Sequence, residues 1–247
     1  MIKGISFDFW DTLFVDDSDE IERKSLGLPT KRAQKLESIW NQVKEEGVSY
    51  DHLTKVFKDV ESWFKKKWDD ECVTVSVEVR LKKIMNLLNV DMDSKRLAKL
   101  IHEFENMEVD VSPQSKKGCE DTLRVLAQRY RLCLISDTIY TPGRGIRDIL
   151  KKNNMLKYFT SFSFSDEVGA SKPSPIIFDH ALKCLELEPS EVIHIGDRES
   201  KDIIGAKEKG MRAILISKIL NLGVVETAAD GKISTLEELT KAIEKIT

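Results

Sequence analysis

The sequence predicts an α/β protein in which a parallel sheet lies between two layers of helices, with an all-helical domain inserted near the N-terminus. From residue 112 onward, short apolar runs alternate with amphipathic stretches, as strands and helices do in a parallel sheet. Between residues 16 and 111, apolar residues recur at helical spacing and strand signals are nearly absent. We therefore expect a Rossmann-like three-layer core from residues 1–15 and 112–247, and four or five helices in residues 16–111.

Individual elements follow from the same patterns. The first strand is predicted at residues 2–9, a short apolar run that ends in an acidic loop, as a central parallel strand does. Thr235 and Glu238 have the spacing of a capping box at the start of the last helix. The other predicted strands are residues 131–135, 159–164, 192–195 and 213–216, and the predicted helices of the core are residues 121–129, 143–152, 175–185, 202–209 and 235–246.

Charge and hydropathy restrict the classes of function. The formal net charge is −3, with 39 basic and 42 acidic residues, so a nucleic-acid partner is not expected. No run approaches 18 apolar residues, and no membrane partner is expected. Asp8 and Asp11 interrupt the N-terminal apolar run where a signal peptide would have none, so we expect a cytoplasmic protein. Oligomeric state is not predicted.

Polar side chains follow four of the predicted strands. One such residue alone has the ordinary explanation of a helix cap, but four strand ends together are hard to explain in that way. Parallel strands end at a common edge of the sheet, where sites in such folds lie. The residues at this edge are Asp8, Asp11 and Thr12 at the end of the first strand, Ser136 and Asp137 after the second, Lys172 after the third, and Asp197 and Asp202 after the fourth.

Several carboxylates at close range repel one another unless a cation lies among them. Oxygen ligands in small number suit Mg²⁺, which keeps several waters and shares the oxygens of a substrate phosphate. A carboxylate fixed at a strand end can act as a nucleophile, and a nearby lysine can balance the charge of a transferred group. This edge is therefore the predicted site, with Mg²⁺ as the predicted cofactor.

Four segments carry a resemblance to a known family. They are FDFWDTL at residues 7–13, LISDT at 134–138, SKPSPIIF at 171–178, and IGDRESKDIIGAKEKGM at 195–211. In this order they resemble the motifs of the haloacid dehalogenase-like (HAD) hydrolase superfamily. The helical insert after the first motif resembles the cap of subfamily I, the C1 type, which covers the site and governs substrate choice. The resemblance implies hydrolysis of a small phosphorylated metabolite.

The resemblance also implies roles for the residues of the reaction centre. Asp8 would be the nucleophile that forms an aspartyl intermediate. Asp8, Asp197 and the backbone carbonyl of Trp10 would bind Mg²⁺, with Asp202 as a supporting carboxylate of the metal site. Lys172 would bridge Asp8 and the phosphate.

Substrate contacts are implied in the same way. Thr12 and Ser136 would donate hydrogen bonds to the phosphate, and Asp137 is included among the expected substrate-binding residues.

One departure from the family pattern bears on the mechanism. Phosphatases of the family carry a second Asp two residues after the nucleophile as general acid and base, whereas this chain has Trp10 there. Loss of general acid–base help slows a reaction by roughly a hundred- to ten-thousand-fold. Asp11 supplies the proton instead, or is a structural carboxylate of the turn; both interpretations stay open.

Two alternative functions also stay open. A bulky residue at position 10 resembles the true dehalogenases of the family, and Arg32 would then be their halide-binding arginine rather than an ordinary surface arginine. Asp197 argues against this, because those enzymes use no metal and lack that Asp. The second alternative is a catalytically weak relative that binds a phosphorylated ligand.

Other residues allow two interpretations each. Trp63 and Trp68 either pack in the core of the cap or gate substrate entry. The lysines of residues 65–67 form a solvated helix face or attract anionic substrates. His194 is interpreted as a buried strand residue rather than a catalyst.

Overall fold

A computed structural model of the protein describes residues 1–217 and 226–247. Its central feature is one six-stranded sheet, in which every neighbouring pair of strands is parallel. The strand order is β3-β2-β1-β4-β5-β6. The strands are β1 (Gly4–Phe7), β2 (Arg131–Ser136), β3 (Ser161–Phe164), β4 (Val192–Gly196), β5 (Arg212–Ile216) and β6 (Gly231–Ile233).

The chain divides into two compact units. The sheet unit comprises Met1–Asp16, Pro113–Asp137 and Leu150–Thr247, and the helical unit comprises Asp17–Ser112 and Thr138–Ile149. The second segment of the helical unit differs from the predicted division, which placed those residues with the sheet.

Five α-helices of the helical unit confirm the predicted helical insert. Their first turns carry the expected caps: the side chains of Thr30, Ser49, Ser76 and Asp93 each accept a hydrogen bond from a backbone N–H of the helix that follows. Buried apolar residues on these helices form one common core. The helices are α1 (Asp19–Ser25), α2 (Lys31–Val43), α3 (Tyr50–Asp70), α4 (Val77–Leu88) and α5 (Ser94–Asp110).

Side chains explain why Thr138–Ile149 groups with these helices. Tyr140 donates a hydrogen bond to Glu61 Oε2 at 2.5 Å. Thr141 donates to Glu108 Oε2, also at 2.5 Å. These partners lie 79 and 33 residues apart in sequence, so no local pattern could have predicted the grouping.

Helices of the sheet unit cover the sheet as expected for an α/β fold. Strands β1 and β4 are buried along their whole length, as central parallel strands are. Helix α9 packs against β2 and β3 in a core that also holds Ile203 and Ala206. The α/β Rossmann-like fold class is thus confirmed. The remaining helices of the described residues are α6 (Cys119–Leu126), α7 (Gly143–Lys152), α8 (Ser165–Val168), α9 (Pro175–Leu185), α10 (Ile204–Glu208) and α11 (Leu239–Ile246). Of these, α7 begins in the helical unit.

Three local predictions were wrong or incomplete. The helix expected at residues 202–209 begins as a π-helix at Glu199–Ile203, in which Ile203 N donates to Arg198 O. Strand β6 was not predicted. The predicted capping box is wrong. Glu238 accepts hydrogen bonds from Ser234 N and from the Thr235 hydroxyl, and among the described residues the Thr235 side chain accepts none from a backbone N–H of the helix.

Among the described residues, no helix is both long enough and apolar enough to cross a lipid bilayer.

Candidate active site

Strand β1 places Asp8 at the carboxyl end of the sheet. The backbone N–H of Asp8 donates to Ile195 O at 2.8 Å, so the residue continues the pairing of β1 with β4. Its side chain is 7% exposed. Because β2 and β4 flank β1, the residues that follow these two strands lie at the same edge. Asp8 is thus a fixed carboxylate at the centre of the edge that the sequence predicted.

Lys172 joins two carboxylates at this edge. Its Nζ lies 2.5 Å from Asp8 Oδ1 and 2.6 Å from Asp202 Oδ1, and all three side chains are buried. Asp137 Oδ1 accepts a hydrogen bond from the Lys172 backbone N–H at 2.9 Å. Asp137 therefore holds the loop that presents Lys172, and the substrate contact expected of it stays a prediction.

The ionisation of Lys172 and Asp202 follows from their pairing. Burial alone would lower the pKa of Lys172, but Asp202 and Asp8 outweigh it and raise that pKa above its usual value. Burial would likewise raise the pKa of Asp202, but Lys172 and His194 hold it below the usual range. Lys172 therefore stays protonated and Asp202 stays ionised, although both side chains are buried.

The pKa values of Asp8 and Asp197 are raised, unlike that of Asp202. The pKa of Asp8 is raised to about 8, because burial, the largest cause, and the neighbouring Asp202 and Asp197 together outweigh the lowering by Lys172. Burial and the neighbouring Asp202 raise the pKa of Asp197 to about 6. More negative charge is gathered here than the single ammonium of Lys172 balances, so an added cation would stabilise the ionised carboxylates.

A metal ion would find oxygen ligands at this edge. Carboxylate oxygens of Asp8, Asp197 and Asp202 lie within 4.8 Å of one another. In residues 1–217 and 226–247, the half-buried Asp197 makes no hydrogen bond or salt bridge. Asp202, by contrast, accepts from Lys172 and from Arg198 N. Asp8 and Asp197 therefore have the more available oxygens, and such hard donors fit Mg²⁺.

His194 and Ser6 were not predicted as parts of the site. His194 Nε2 lies 3.2 Å from Asp202 Oδ1, and its Nδ1 lies 2.9 Å from Ser6 Oγ. A carboxylate only accepts, so Nε2 carries the proton and the Ser6 hydroxyl donates to Nδ1. Burial lowers the pKa of His194, which keeps the ring neutral. The available sequence signal was a polar residue within each of two apolar strands.

Gly196 permits the close approach of Asp202. A Cβ atom at position 196 would lie 2.3 Å from both Cβ and Cγ of Asp202. Any larger residue would displace Asp202, and with it the carboxylate that binds Lys172 and His194.

The turn after Asp8 contains Trp10 and Asp11. Asp11 has a φ of 53°, in the left-handed region, and its N–H donates to Phe14 O at 2.6 Å. The Asp11 Oδ1 atom accepts from Asp16 N at 3.3 Å, and Lys116 Nζ donates to the Asp11 carbonyl. These contacts favour the structural interpretation of Asp11, because its carboxylate stabilises the turn.

The two expected phosphate ligands are both buried hydroxyls. Among the described residues, Thr12 Oγ1 has no hydrogen-bond partner. Ser136 Oγ donates to the adjacent Asp137 carbonyl at 3.3 Å, a long contact. A buried hydroxyl without a partner has an unfavourable free energy, so Thr12 is suited to donate to a substrate oxygen.

Residues expected in the cap lie in the helical unit. A cavity of about 420 Å³ within that unit is lined by Arg32, Lys65 and Trp68, among others. Trp63 instead packs partly buried against the core of the helices, with Lys83 Nζ 4.7 Å from its ring centre. Lys65 and Lys67 form ion pairs one helical turn along α3, with Asp69 and Glu71.

The chain is similar to known proteins along nearly its whole length. The family described as haloacid dehalogenase-like hydrolase matches residues 29–216. A glyceraldehyde 3-phosphate phosphatase of Methanocaldococcus jannaschii is 28% identical to the chain, and the alignment covers 100% of this chain and 99% of the relative.

Solved structures share the fold. The 2-haloacid dehalogenase from Pseudomonas syringae pv. Tomato DC3000 superposes with a TM-score of 0.72 at 21% identity, over 100% of both chains. The HAD phosphatase from Thermococcus onnurineus superposes with a TM-score of 0.64 at 24% identity, over 98% of both chains. At these identities the two structures establish the fold only.

Proposed function

Because this chain belongs to the haloacid dehalogenase-like hydrolase family, we propose that it is a Mg²⁺-dependent phosphatase that hydrolyses the phosphate ester of a small metabolite in the cytoplasm. The observation that carries the proposal is the group at the sheet edge, where Lys172 bridges Asp8 and Asp202 beside the unpaired Asp197. The full-length similarity to a relative named as a phosphatase supports it.

Asp8, Asp197 and the backbone carbonyl of Trp10 would hold Mg²⁺, with Asp202 in support. When bound, the ion would supply positive charge that stabilises the ionised carboxylates and the transferred phosphoryl group. The raised pKa values of Asp8 and Asp197 support this assignment, since both carboxyls would ionise more readily beside a cation.

In the first step, an Asp8 carboxylate oxygen attacks phosphorus, and the bond from phosphorus to the ester oxygen breaks. The leaving oxygen departs with the electron pair and takes up a proton from solvent, and an aspartyl phosphate forms on Asp8. Lys172 fixes the orientation of Asp8 and balances negative charge during the transfer. Thr12 and Ser136 would donate hydrogen bonds to the phosphoryl oxygens.

In the second step, a water oxygen attacks the same phosphorus atom. The bond between phosphorus and Asp8 breaks, the carboxylate is restored, and inorganic phosphate leaves while one proton passes to solvent. His194 and Ser6 would act only as positioning residues, because they hold Asp202 and through it Lys172.

Trp10 bears on the choice of leaving group. An alkoxide needs a proton in the transition state, whereas a phenolate is a weak base that leaves without one. With Trp10 in place of an acid and Asp11 bonded to Asp16, aryl or acyl phosphates should react faster than alkyl phosphates. Trp10→Asp should selectively speed up alkyl esters, with kcat/KM for phenyl phosphate and glycerol phosphate as the comparison.

Glyceraldehyde 3-phosphate is the first alkyl ester to test, because a relative carries it in its name. If the wild-type protein hydrolyses it as fast as phenyl phosphate, and Asp11→Asn removes only the alkyl activity, Asp11 is the general acid. The preference for aryl esters would then be wrong, while the phosphatase proposal would stand.

The proposal as a whole is tested by release of products from two substrate classes. Phosphate release from a panel of phosphorylated metabolites should require Mg²⁺ and stop in excess chelator. Chloride release from 2-chloropropionate should be absent. Halide release that persists in chelator would favour a dehalogenase, and tight binding of phosphate esters without turnover would favour a ligand-binding relative.

A further inference from the structure

The cavity of the helical unit is a second candidate binding site. Its volume of about 420 Å³ lies within the range of roughly 300–1,000 Å³ that is usual for small-molecule sites. Four aromatic side chains contribute to its walls, and three of them belong to α3. These are Phe57, Phe64 and Trp68 of α3, together with Tyr140.

Positive charge around the cavity exceeds negative charge. Arg32, Lys35 and Lys58 line it, and in the part of the chain that the structure describes none of them forms a salt bridge with a carboxylate. Glu61, the one acidic residue of the lining within the described chain, is already engaged, because it accepts from the Tyr140 hydroxyl and lies 3.6 Å from Arg80 Nη1.

Lys35 is poorly compensated. Its Nζ lies 3.2 Å from the centre of the Tyr140 ring, a cation–π contact. The pKa of Lys35 is lowered to about 8, because burial and the neighbouring Arg80 outweigh the opposing effect of Glu61. An anion placed beside Lys35 would restore the electrostatic stabilisation that this lysine lacks.

We propose that this cavity binds a small organic anion whose aromatic body packs against Trp68 and Tyr140 and whose carboxylate or phosphate lies among Arg32, Lys35 and Lys58. Aromatic faces accept flat rings, and the unpaired cations select against uncharged molecules. The same chemistry could belong to part of a substrate or to a separate effector. The proposal does not depend on hydrolysis.

Two probes of similar shape, one charged and one neutral, separate the contribution of charge to binding from that of shape. Calorimetry with 2-naphthoate and its neutral amide, 2-naphthamide, should give tighter binding of the acid by about fivefold, the contribution of one partly exposed charge pair. Lys35→Gln should remove this preference and leave amide binding unchanged. Lys66→Gln, on α3 but outside the cavity lining, should leave both affinities unchanged.

Two further variants guard against misfolding and unspecific binding. Ser62→Trp adds bulk at an exposed position of the lining and should abolish binding of both probes while the unfolding temperature is kept. Lys35→Arg keeps the charge and should keep the preference for the acid. Equal affinities for the two probes in the wild-type protein, or unchanged binding in Ser62→Trp, would overturn the proposal.

The source of the anion is decided by kinetics with 2-naphthyl phosphate. If the cavity holds part of the substrate, 2-naphthoate should inhibit hydrolysis competitively, and Lys35→Gln should raise KM with little change in kcat. If the anion is an effector, 2-naphthoate should bind equally well to protein saturated with inorganic phosphate. A protein without phosphatase activity would refute the proposed function, but the calorimetric test would still stand.

Discussion

Lys172 in the sheet unit and Lys31 in the helical unit are both buried lysines surrounded by acidic residues, yet only the first marks a candidate active site. Lys31 Nζ lies 2.9 Å from Asp17, 3.0 Å from Asp19 and 2.7 Å from Glu108. Burial would lower the pKa of Lys31, but Glu108 and the other two carboxylates raise it above its usual value. The two lysines are thus alike in charge.

The two lysines differ in whether every neighbouring carboxylate is paired with the ammonium. Lys31 contacts all three of its carboxylates and so ties together the beginnings of α1 and α2 and the end of α5. Among the described residues, the ammonium of Lys172 pairs with Asp8 and Asp202, and the half-buried Asp197 beside them has no partner.

Accessibility separates the two clusters further. One oxygen of Asp19 also lacks a hydrogen-bond partner within the described chain, but Asp19 is fully buried, so no ion or substrate can reach it. The comparison indicates that an active site is recognised by a carboxylate that is both reachable and unpaired, rather than by buried charge.

The largest loss of activity is expected when one carboxylate oxygen of the Lys172 cluster is replaced by an amide nitrogen, and the same change in the Lys31 cluster is the control. Asp8→Asn should reduce turnover on the order of 10⁴-fold or more, because an amide is a poor nucleophile and a poor metal ligand. Asp17→Asn is the matched control and should leave turnover unchanged. Phosphate release by each purified variant is the measurement, with mass spectrometry to exclude deamidation. Substantial turnover in intact Asp8→Asn would remove Asp8 from the mechanism.

Replacing each lysine gives the next effect. Lys172→Met and Lys31→Met should both lower the free energy of unfolding by about 3 kcal/mol, because each leaves buried carboxylates without their cation. Per folded molecule, Lys172→Met should lose at least about a hundredfold in kcat, while Lys31→Met should keep its kcat. Urea unfolding and turnover are measured on the same samples. Equal losses of kcat would mean that the two lysines do not differ in function.

Much of the sheet edge could be predicted from sequence, because short apolar strands followed by polar residues are local signals. Asp8, Asp197 and Lys172 were found in this way. The link from Ser6 through His194 to Asp202 was not, since it joins residues up to 188 positions apart and depends on strand register.

Features without a local pattern were missed for the same reason. The grouping of Thr138–Ile149 with the helices depends on contacts between distant segments, such as that of Tyr140 with Glu61. The three-residue strand β6 is too short to show an alternating pattern. The π-helix replaces an ordinary first turn, and Asp202 lies within it, where its carboxylate accepts from Arg198 N.

Replacing Asp197 tests whether the reachable, unpaired carboxylate of the Lys172 cluster is needed to bind Mg²⁺. Asp197→Asn should raise the Mg²⁺ concentration that gives half-maximal activity by at least about tenfold, because one charged ligand is lost. Glu108→Gln, from the Lys31 cluster, is the control and should leave that concentration unchanged. Magnesium titrations of the initial rate provide the measurement. An unchanged requirement in Asp197→Asn would show that this residue is no ligand.

The smallest effect concerns Lys35. Its pKa is lowered, whereas the pKa values of Lys31 and Lys172 are raised. Its pKa of about 8 lies below the usual value of 10.5, so its charge is present below pH 8 and is lost as the pH rises through 8. Affinity for 2-naphthoate should therefore fall roughly threefold between pH 7 and pH 9, because about a tenth of Lys35 is uncharged at pH 7 and about a tenth is still charged at pH 9. The groups that face Lys35 are Glu61, Arg80, Glu108, Lys31 and the Tyr140 ring.

The matched variant Lys35→Arg stays charged throughout this range. Its affinity for 2-naphthoate should not change between pH 7 and pH 9. Calorimetry at both values tests the assignment, and a parallel loss of affinity in Lys35→Arg would assign the titration to another group.

We propose above that Asp8 carries the phosphoryl group during turnover. The most direct measurement is mass spectrometry of protein quenched in acid within the first turnover on phenyl phosphate with Mg²⁺. The expected result is one added phosphoryl group on the peptide that contains Asp8, absent in Asp8→Asn and absent when chelator is added. Rapid phosphate release with Asp8 unmodified at every time before the first turnover is complete would contradict the claim.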